Sequence, residues 1–300
     1  MDADTKSRLG QFLTPTSIAA FMASLFEKTG SQPVRLLDAG AGVGALTTAF
    51  LKEFRQKSAP CDISVTAYEI DDNLRRHLLD VLAAYSSATE RFAFDVREAD
   101  FIEDSEERLV FGGRGNYTHA ILNPPYKKIT SGSDHRQMLR SVGIETVNLY
   151  SAFVALAIKL LQPGGQIVAI IPRSFCNGPY YRPFRELILR ETSIQRIHLF
   201  ESRNKAFSDD DVLQENIILH LERNGTQAQV CVSTSTDDTF TDLQTRTLNL
   251  VESCSRMTAK SSFVYPRRSN RIFLRRPTRS TIRCQIWGLK SRPGRWLIFG

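Results

Sequence analysis

Three hundred residues, 42% of them hydrophobic and 24% charged, suit one large α/β domain with an appendage. No run reaches the roughly 18–20 apolar residues that a bilayer crossing needs. The start, Met1-Asp2-Ala3-Asp4, lacks the basic and apolar pattern of a secretory signal, so a cytoplasmic location is expected. The five cysteines (Cys61, Cys176, Cys231, Cys254, Cys284) are scattered and never form a CxxC pair, and the five histidines are equally dispersed, so neither a disulfide framework nor a protein-bound metal is expected.

In chain order, Gln11-Phe12-Leu13-Thr14-Pro15 precedes an amphipathic helix predicted over 16–27, with the proline at its start. Strands are then predicted at 34–37, 63–68, 93–96, 119–122, 166–171, 195–200 and 216–221, from β-branched apolar runs. Helices are predicted between them at 44–54, 71–86, 149–161 and 181–191, and Pro163-Gly164-Gly165 should end the third and feed the fifth strand. Seven strands with interleaved helices predict an α/β, Rossmann-like, doubly wound sheet over residues 1–250.

The first strand runs into Asp38-Ala39-Gly40-Ala41-Gly42-Val43-Gly44. Alternate glycines let the backbone bend sharply and approach a ligand without Cβ interference. Such turns also serve dinucleotide enzymes, P-loops and plain tight turns. Two later carboxylates narrow the choice. Glu69, followed by Ile70, ends the second strand, where an acidic side chain takes both ribose hydroxyls of a nucleoside. Asp100 follows the third strand, placed to accept a hydrogen bond from an adenine amino group, with Phe101 beside the ring. A dinucleotide enzyme uses its turn to cradle a pyrophosphate. Acidic Asp38 beside the turn suits instead a ligand carrying an ammonium and a sulfonium, which is the character of S-adenosylmethionine.

Asn123-Pro124-Pro125-Tyr126 follows the fourth strand. Alone, Asn-Pro is a common turn starter. In this position it addresses a chemical problem: an exocyclic amino nitrogen is a poor nucleophile because its lone pair is delocalised into the ring. The Asn123 side-chain oxygen and the Pro124 carbonyl can take its two protons, and the prolines fix that carbonyl because each locks φ and restricts the residue before it. Tyr126 offers an aromatic face for a base. The following loop, with Lys127, Lys128, Arg136 and Arg140, is a candidate phosphate contact or a solvated loop.

After about residue 250 the periodicity fails. Residues 251–300 hold 10 Arg, 2 Lys and 1 Glu, a net of +11, against +7 for the whole chain, which leaves −4 on residues 1–250. The basic pI therefore belongs to this tail, not to the predicted body. The tail is expected to be disordered, or to be translated out of frame from about residues 247–255.

The order of Gln11-Phe12-Leu13-Thr14-Pro15, the glycine turn, Glu69, Asp100-Phe101 and Asn123-Pro124-Pro125-Tyr126 resembles that of amino-DNA methyltransferases of the γ arrangement. These are the modification enzymes of restriction–modification systems, including those with Eco57I-like methylase domains. The resemblance covers about residues 8–245. It implies a class I S-adenosylmethionine-dependent fold with a seven-stranded sheet. It also implies a double-stranded DNA substrate, a target adenine flipped out of the duplex, direct methyl transfer to N6, and a cognate restriction endonuclease in the same system.

By the same resemblance, Thr14, Asp38, Ala39 and Gly40 line the methionine end of the cofactor. Gly42 belongs to the same turn, Glu69 lies at the ribose, Ile70 is a further cofactor-binding residue, and Asp100 with Phe101 lies at the adenine. Asn123 and Pro124 hold the target amino group, Pro125 stiffens the loop, and Tyr126 stacks on the flipped base, with Phe207 the candidate for its other face. Family members continue into a target-recognition domain, in whose place the basic tail stands, so the chain is expected to keep cofactor binding and lose most site-specific methylation. Two alternatives remain. Asn-Pro-Pro-Tyr enzymes also methylate RNA or glutamine amides in proteins, and a non-catalytic remnant would bind nucleic acid through its basic tail.

Overall fold

The computed structural model describes residues 14–27, 32–57, 61–113, 115–200 and 216–249, and the backbone of 289–292 and 295–298. Phe207 and nearly all of the basic tail lie outside the described residues. Helix α1 (Thr16–Ser24) leads into β1 (Val34–Ala39), α2 (Ala45–Lys57), β2 (Ile63–Tyr68) and α3 (Asp72–Ser87). Strand β3 (Phe92–Arg97), α4 (Phe101–Val110), β4 (Tyr117–Leu122), α5 (Asp134–Ser141) and α6 (Leu149–Leu160) follow. Then come β5 (Leu161–Pro172), a 3₁₀ turn (Arg173–Cys176), α7 (Arg182–Glu191), β6 (Thr192–Phe200), β7 (Asn216–Arg223), β8 (Gln229–Ser235) and β9 (Gln244–Asn249). Two short strands, β10 (Leu289–Arg292) and β11 (Arg295–Ile298), pair antiparallel with each other.

All seven predicted strands form, in one sheet of order β3-β2-β1-β4-β5-β7-β6-β8-β9. Strands β1 to β5 pair in parallel, β7 runs antiparallel to both β5 and β6, and β8 is parallel to β6. The order reverses between β1 and β4, which opens a crevice at the carboxyl ends of those strands, where doubly wound sheets bind their ligands. Strands β8 and β9 extend the predicted seven to nine.

Residues alternate sides along each strand, so every central strand feeds two apolar layers. Leu36, Ile121, Val168, Ile170 and Ile218 face Ile18, Met22, Phe50, Phe54, Leu78 and Leu82 of α1 to α3. Leu37, Ala120, Leu122, Ile167 and Leu219 face the opposite layer, which is built on α6. Ten of the twelve residues of α6 are buried. A helix that is apolar all round must be enclosed, and it supports β1 and β4 directly beneath the crevice.

Two details differ from expectation. Helix α6 stops at Leu160, and Pro163-Gly164-Gly165 lies inside β5 rather than ahead of it. The pairing of β4 with β5 skips from Tyr117↔Leu161 to His119↔Gln166, so the triplet forms a bulge, with Gly164 at φ +77 supplying the left-handed residue. The first helix ends at Ser24, and the chain beyond it is tied down by the Glu27 N–H donating to Gln166 Oε1 at 2.9 Å.

Candidate active site

The glycine turn leaves β1 with φ +80, +57 and +86 at Gly40, Gly42 and Gly44. The N–H groups of Gly40 and Ala41 donate to the Tyr68 carbonyl at 3.0 and 2.9 Å, so the turn folds over the end of β2. A Cβ on Gly44 would stand 2.7 Å from Leu78 Cδ1, whereas one on Gly42 would meet nothing within 4 Å. Gly44 is thus needed for packing α2 against α3, and Gly42 borders open space.

Asp38 is fully buried at the end of β1. Thr47 donates its hydroxyl to Oδ2 at 2.6 Å, and Oδ1, also buried, has no partner among the described residues. Burial, opposed by the Thr47 bond and reinforced by the charge of Glu69, pushes the carboxyl up to about 7.

Glu69 is 2% exposed. Its Oε2 accepts from the Gly42 N–H and its Oε1 from the Asp71 N–H, both at 2.8 Å, so the ribose candidate also ties the glycine turn to the β2 loop. Arg75, buried on α3, binds that loop from below, donating to the Glu69 and Ile70 carbonyls and pairing with Asp72 and with Glu98 at 2.8 and 2.9 Å. Ile70 is 54% exposed at the rim, a large apolar side chain placed where an aromatic ligand would cover it.

Asp100 caps α4, its Oδ1 accepting from the Ile102 and Glu103 N–H groups at 2.7 and 3.3 Å. Its Oδ2 lies 3.2 Å from His135 Nε2. Phe101 is 2% exposed and packs edge-on against Tyr68 and obliquely against Phe153, so its ring belongs to the floor of the pocket.

Asn123 follows β4. Its Nδ2 donates to Thr14 Oγ1 at 3.0 Å and its Oδ1 accepts from the Tyr126 hydroxyl at 3.1 Å. The amide is thus held between two hydroxyls, one at each of its polar atoms. Pro124 is buried, and Pro125 Cδ lies 4.0 Å from where a Gly40 Cβ would stand, so the loop abuts the glycine turn. Burial pushes the Tyr126 phenol well above its usual range, which keeps it a donor.

The structure brings Thr14 to Asn123, whereas the resemblance puts it at the cofactor's methionine end. The loop expected to reach phosphates is also partly committed. Arg136 is buried and pairs with Glu145, and Arg140 pairs with the same carboxylate at 2.8 Å, while Lys127 and Lys128 are exposed.

Several neighbours were not predicted. Tyr126 packs edge-on to Tyr150 at 6.2 Å, Tyr150 lies 5.9 Å from Tyr181, and Asn148 donates to the Tyr181 hydroxyl. His135 and Thr47 also escaped notice. Nothing in their local sequence marks them, although Asp100 with Glu103 has the three-residue spacing of a helix start. Among the described residues no group of three His, Cys, Asp or Glu side chains could hold a metal, and no helix is long and apolar enough to cross a membrane.

Residues 16–207 match the family model described as Eco57I restriction-modification methylase. The chain is 52% identical over 242 residues to Type II methyltransferase M.BsuBI of Bacillus subtilis, covering 78% of this chain and 48% of that protein. It is 46% identical over 235 residues to Type II methyltransferase M.PstI of Providencia stuartii, covering 77% and 46%. The chain therefore spans about half the length of these curated relatives.

Among solved structures, the type IIG restriction endonuclease BpuSI superposes with a TM-score of 0.62 at 18% identity, covering 85% of this chain and 33% of that one. A putative class I S-adenosylmethionine-dependent methyltransferase of Listeria monocytogenes superposes with 0.57 at 15% identity, covering 77% and 68%. These likenesses establish the fold as that of class I S-adenosylmethionine-dependent methyltransferases. With its family model matched from α1 through the Asn-Pro-Pro-Tyr loop and beyond β6, the chain belongs to the Eco57I restriction-modification methylase family.

Proposed function

We propose that this chain binds S-adenosylmethionine and transfers a methyl group to N6 of an adenine extruded from double-stranded DNA. In this reading it is the modification arm of a restriction–modification system with a companion endonuclease. The observation that carries the reading is the Asn123 amide, held between the Thr14 and Tyr126 hydroxyls at the end of β4.

The cofactor fits the residues present. The buried Asp38 Oδ1, without a partner among the described residues, is costly unless a cation meets it, and the ligand's ammonium is such a cation. Gly42 leaves room for its approach, Glu69 stands at the ribose position, and Ile70, Asp100 and Phe101 frame the adenine position. Bound there, S-adenosylmethionine supplies an electrophilic methyl on a sulfonium.

This chain's own residues act on the other reactant. Asn123 Oδ1 and the Pro124 carbonyl accept hydrogen bonds from the two N6–H groups, which draws the nitrogen away from planarity and localises its lone pair toward the methyl; once methylated the nitrogen is cationic and gives up one of those protons to water. Tyr126 offers its ring to the base, offsetting part of the few kcal/mol that unstacking costs. Its phenol, kept protonated, is no base. Rate enhancement comes from positioning and from acceptors aimed at the charge developing on N6.

The test is transfer from radiolabelled cofactor to genomic DNA, total RNA and bulk protein, followed by digestion of the DNA to nucleosides. The expected product is N6-methyladenine. The Asn123→Ala variant should lose about 10²–10³-fold in rate, the usual effect of removing one transition-state hydrogen-bonding group. Label in cytosine, RNA or glutamine would sink the adenine assignment.

A further inference from the structure

The side chain that receives the target amino group ends in a soft rotor. The torsion that swings an asparagine amide about its last carbon–carbon bond is broad, without the sharp staggered wells of the torsions before it. Asn123 can therefore aim Oδ1 only if its neighbours fix that torsion. The Tyr126 hydroxyl, bonded to Oδ1 at 3.1 Å, holds one end and comes from the same loop. The other end is held from 109 positions away in sequence, where Nδ2 donates to Thr14 Oγ1 at 3.0 Å. Two contacts at opposite ends of the amide define its plane, whereas one alone leaves it a pivot.

Thr14 is well placed to serve as the fixed point. The residue before a proline is confined to extended backbone, and a β-branched side chain is stiff at χ1. Pro15 is itself extended at φ −54 and ψ 145, and its carbonyl accepts from the Ala19 N–H at 2.9 Å, in the first turn of α1. That helix buries Ile18, Ala19, Met22 and Ala23 against the sheet layer that includes Ile121 of β4. Packing of α1 thus sets where the Thr14 hydroxyl stands relative to the end of β4. A target amino group only donates, so the productive amide turns Oδ1 to the base and Nδ2 to Thr14.

We propose that Thr14 is a positioning residue for methyl transfer: its hydroxyl holds the nitrogen end of the Asn123 amide, which keeps Oδ1 aimed at the target nitrogen. The inference rests on the reading of Asn123 as the acceptor for N6. It departs from the contact with the cofactor's methionine end that the resemblance implies for Thr14, and it gives α1 a part in the chemistry of the target base.

The experiment pairs single-turnover transfer from radiolabelled S-adenosylmethionine to genomic DNA with calorimetric binding of S-adenosylhomocysteine. Thr14→Val, Thr14→Ser, Asn123→Ala and the Thr14→Val, Asn123→Ala double variant are compared with the unaltered chain. Thermal melting checks folding, and Thr14→Ala repeats the measurement without the second methyl. Thr14→Val should slow transfer about tenfold, the equivalent of one net hydrogen bond, and leave the affinity for S-adenosylhomocysteine unchanged. Thr14→Ser, which keeps the hydroxyl, should recover most of the rate. On the Asn123→Ala background the valine should have little further effect, because no amide is left to hold. A full tenfold loss on that background, or a matching loss of S-adenosylhomocysteine affinity, would place Thr14 at the cofactor and overturn the proposal. An unchanged rate, or a serine variant as slow as the valine one, would overturn it too. If the unaltered chain transfers no label to DNA, or Asn123→Ala transfers it undiminished, the proposed function itself has failed and the inference falls with it.

Discussion

At the scale of single residues, the proposed cofactor pocket makes a prediction that turns on the protonation of Asp38. Its carboxyl is raised to about 7 chiefly because burial penalises the anion, with Glu69 adding repulsion. A cationic ligand selects the ionised form, so affinity should rise with pH up to about 7 and then level off. Below that point the limiting slope is about tenfold per pH unit, one proton released per ligand bound. Calorimetry of S-adenosylmethionine between about pH 6 and 7.5, in buffers of different ionisation enthalpy, measures both slope and proton release. Asp38→Asn should bind more weakly and lose the slope, and a slope that survives the substitution would place the titrating group elsewhere.

The glycines of the turn separate in a second experiment. Gly44→Ala drives a methyl to 2.7 Å from Leu78 Cδ1 at φ +86, so it should destabilise the fold by about 2–3 kcal/mol through overpacking and strain. Gly42→Ala, at φ +57 with open space around it, should cost about 1 kcal/mol and chiefly weaken cofactor binding. Denaturant melts with and without cofactor distinguish the two.

At the scale of elements, α1 depends on a hairpin far away in sequence. Phe240, between β8 and β9, stacks on Phe21 at 4.1 Å and 16°, and Ser17 donates to Asp238 at 2.8 Å. Because Thr14 lies two residues before α1 and bonds Asn123, the hairpin supports the site at one remove. Phe240→Ala should cost about 2 kcal/mol for a partly buried aromatic pair. It should also raise hydrogen exchange across residues 16–24 ahead of the central strands, and uniform exchange would argue against a local clamp.

This support was not legible in the sequence. The seven central strands were, because strands buried on both faces appear as unbroken β-branched runs such as Ile167 to Ile171. Strand β9, Gln-Thr-Arg-Thr-Leu-Asn, is an exposed edge with no apolar face to betray it. Helix α4 is hidden for another reason: Asp100, which caps it, has a side chain equally suited to a ligand contact. In the candidate site, Asp38, Glu69, Asp100 and Asn123 carry a chemical signature at strand ends that the sequence shows, whereas Asn148 and Tyr181 meet only through the fold.

At the scale of the whole molecule, sensitivity to acid follows from three buried imidazoles packed among the phenylalanines of α1, α2 and the turn after α1. His119, His198 and His220 stand on β4, β6 and β7, and burial lowers them to about 3, 3 and 4. His198 lies between Ser233 and Ser235, His220 bonds Gln166, and His119 Nε2 is buried with no partner among the described residues. Each remains neutral in the folded chain and becomes protonated near 6.5 when unfolded. The stability they confer is therefore present above about pH 6.5 and declines as pH falls toward their folded values.

Asp38 acts in the opposite sense, because its folded value lies above its unfolded one. It favours the folded chain increasingly as pH falls from about 7 toward 3.8. Three protons bound preferentially by the unfolded chain against one bound by the folded chain leave a net of two. Stability therefore falls as pH falls from roughly 6.5 toward 4.5, with the unfolded chain approaching an excess of about two protons. The lowered carboxylates Asp62, Glu145, Glu191 and Asp242 add to this fall only near and below their usual range. Urea melts at successive pH values measure the slope, and His198→Gln should reduce it by one proton, about 1.4 kcal/mol per unit. A stability flat from pH 6.5 to 4.5 would mean that these imidazoles are already protonated, or reach water, in the folded chain.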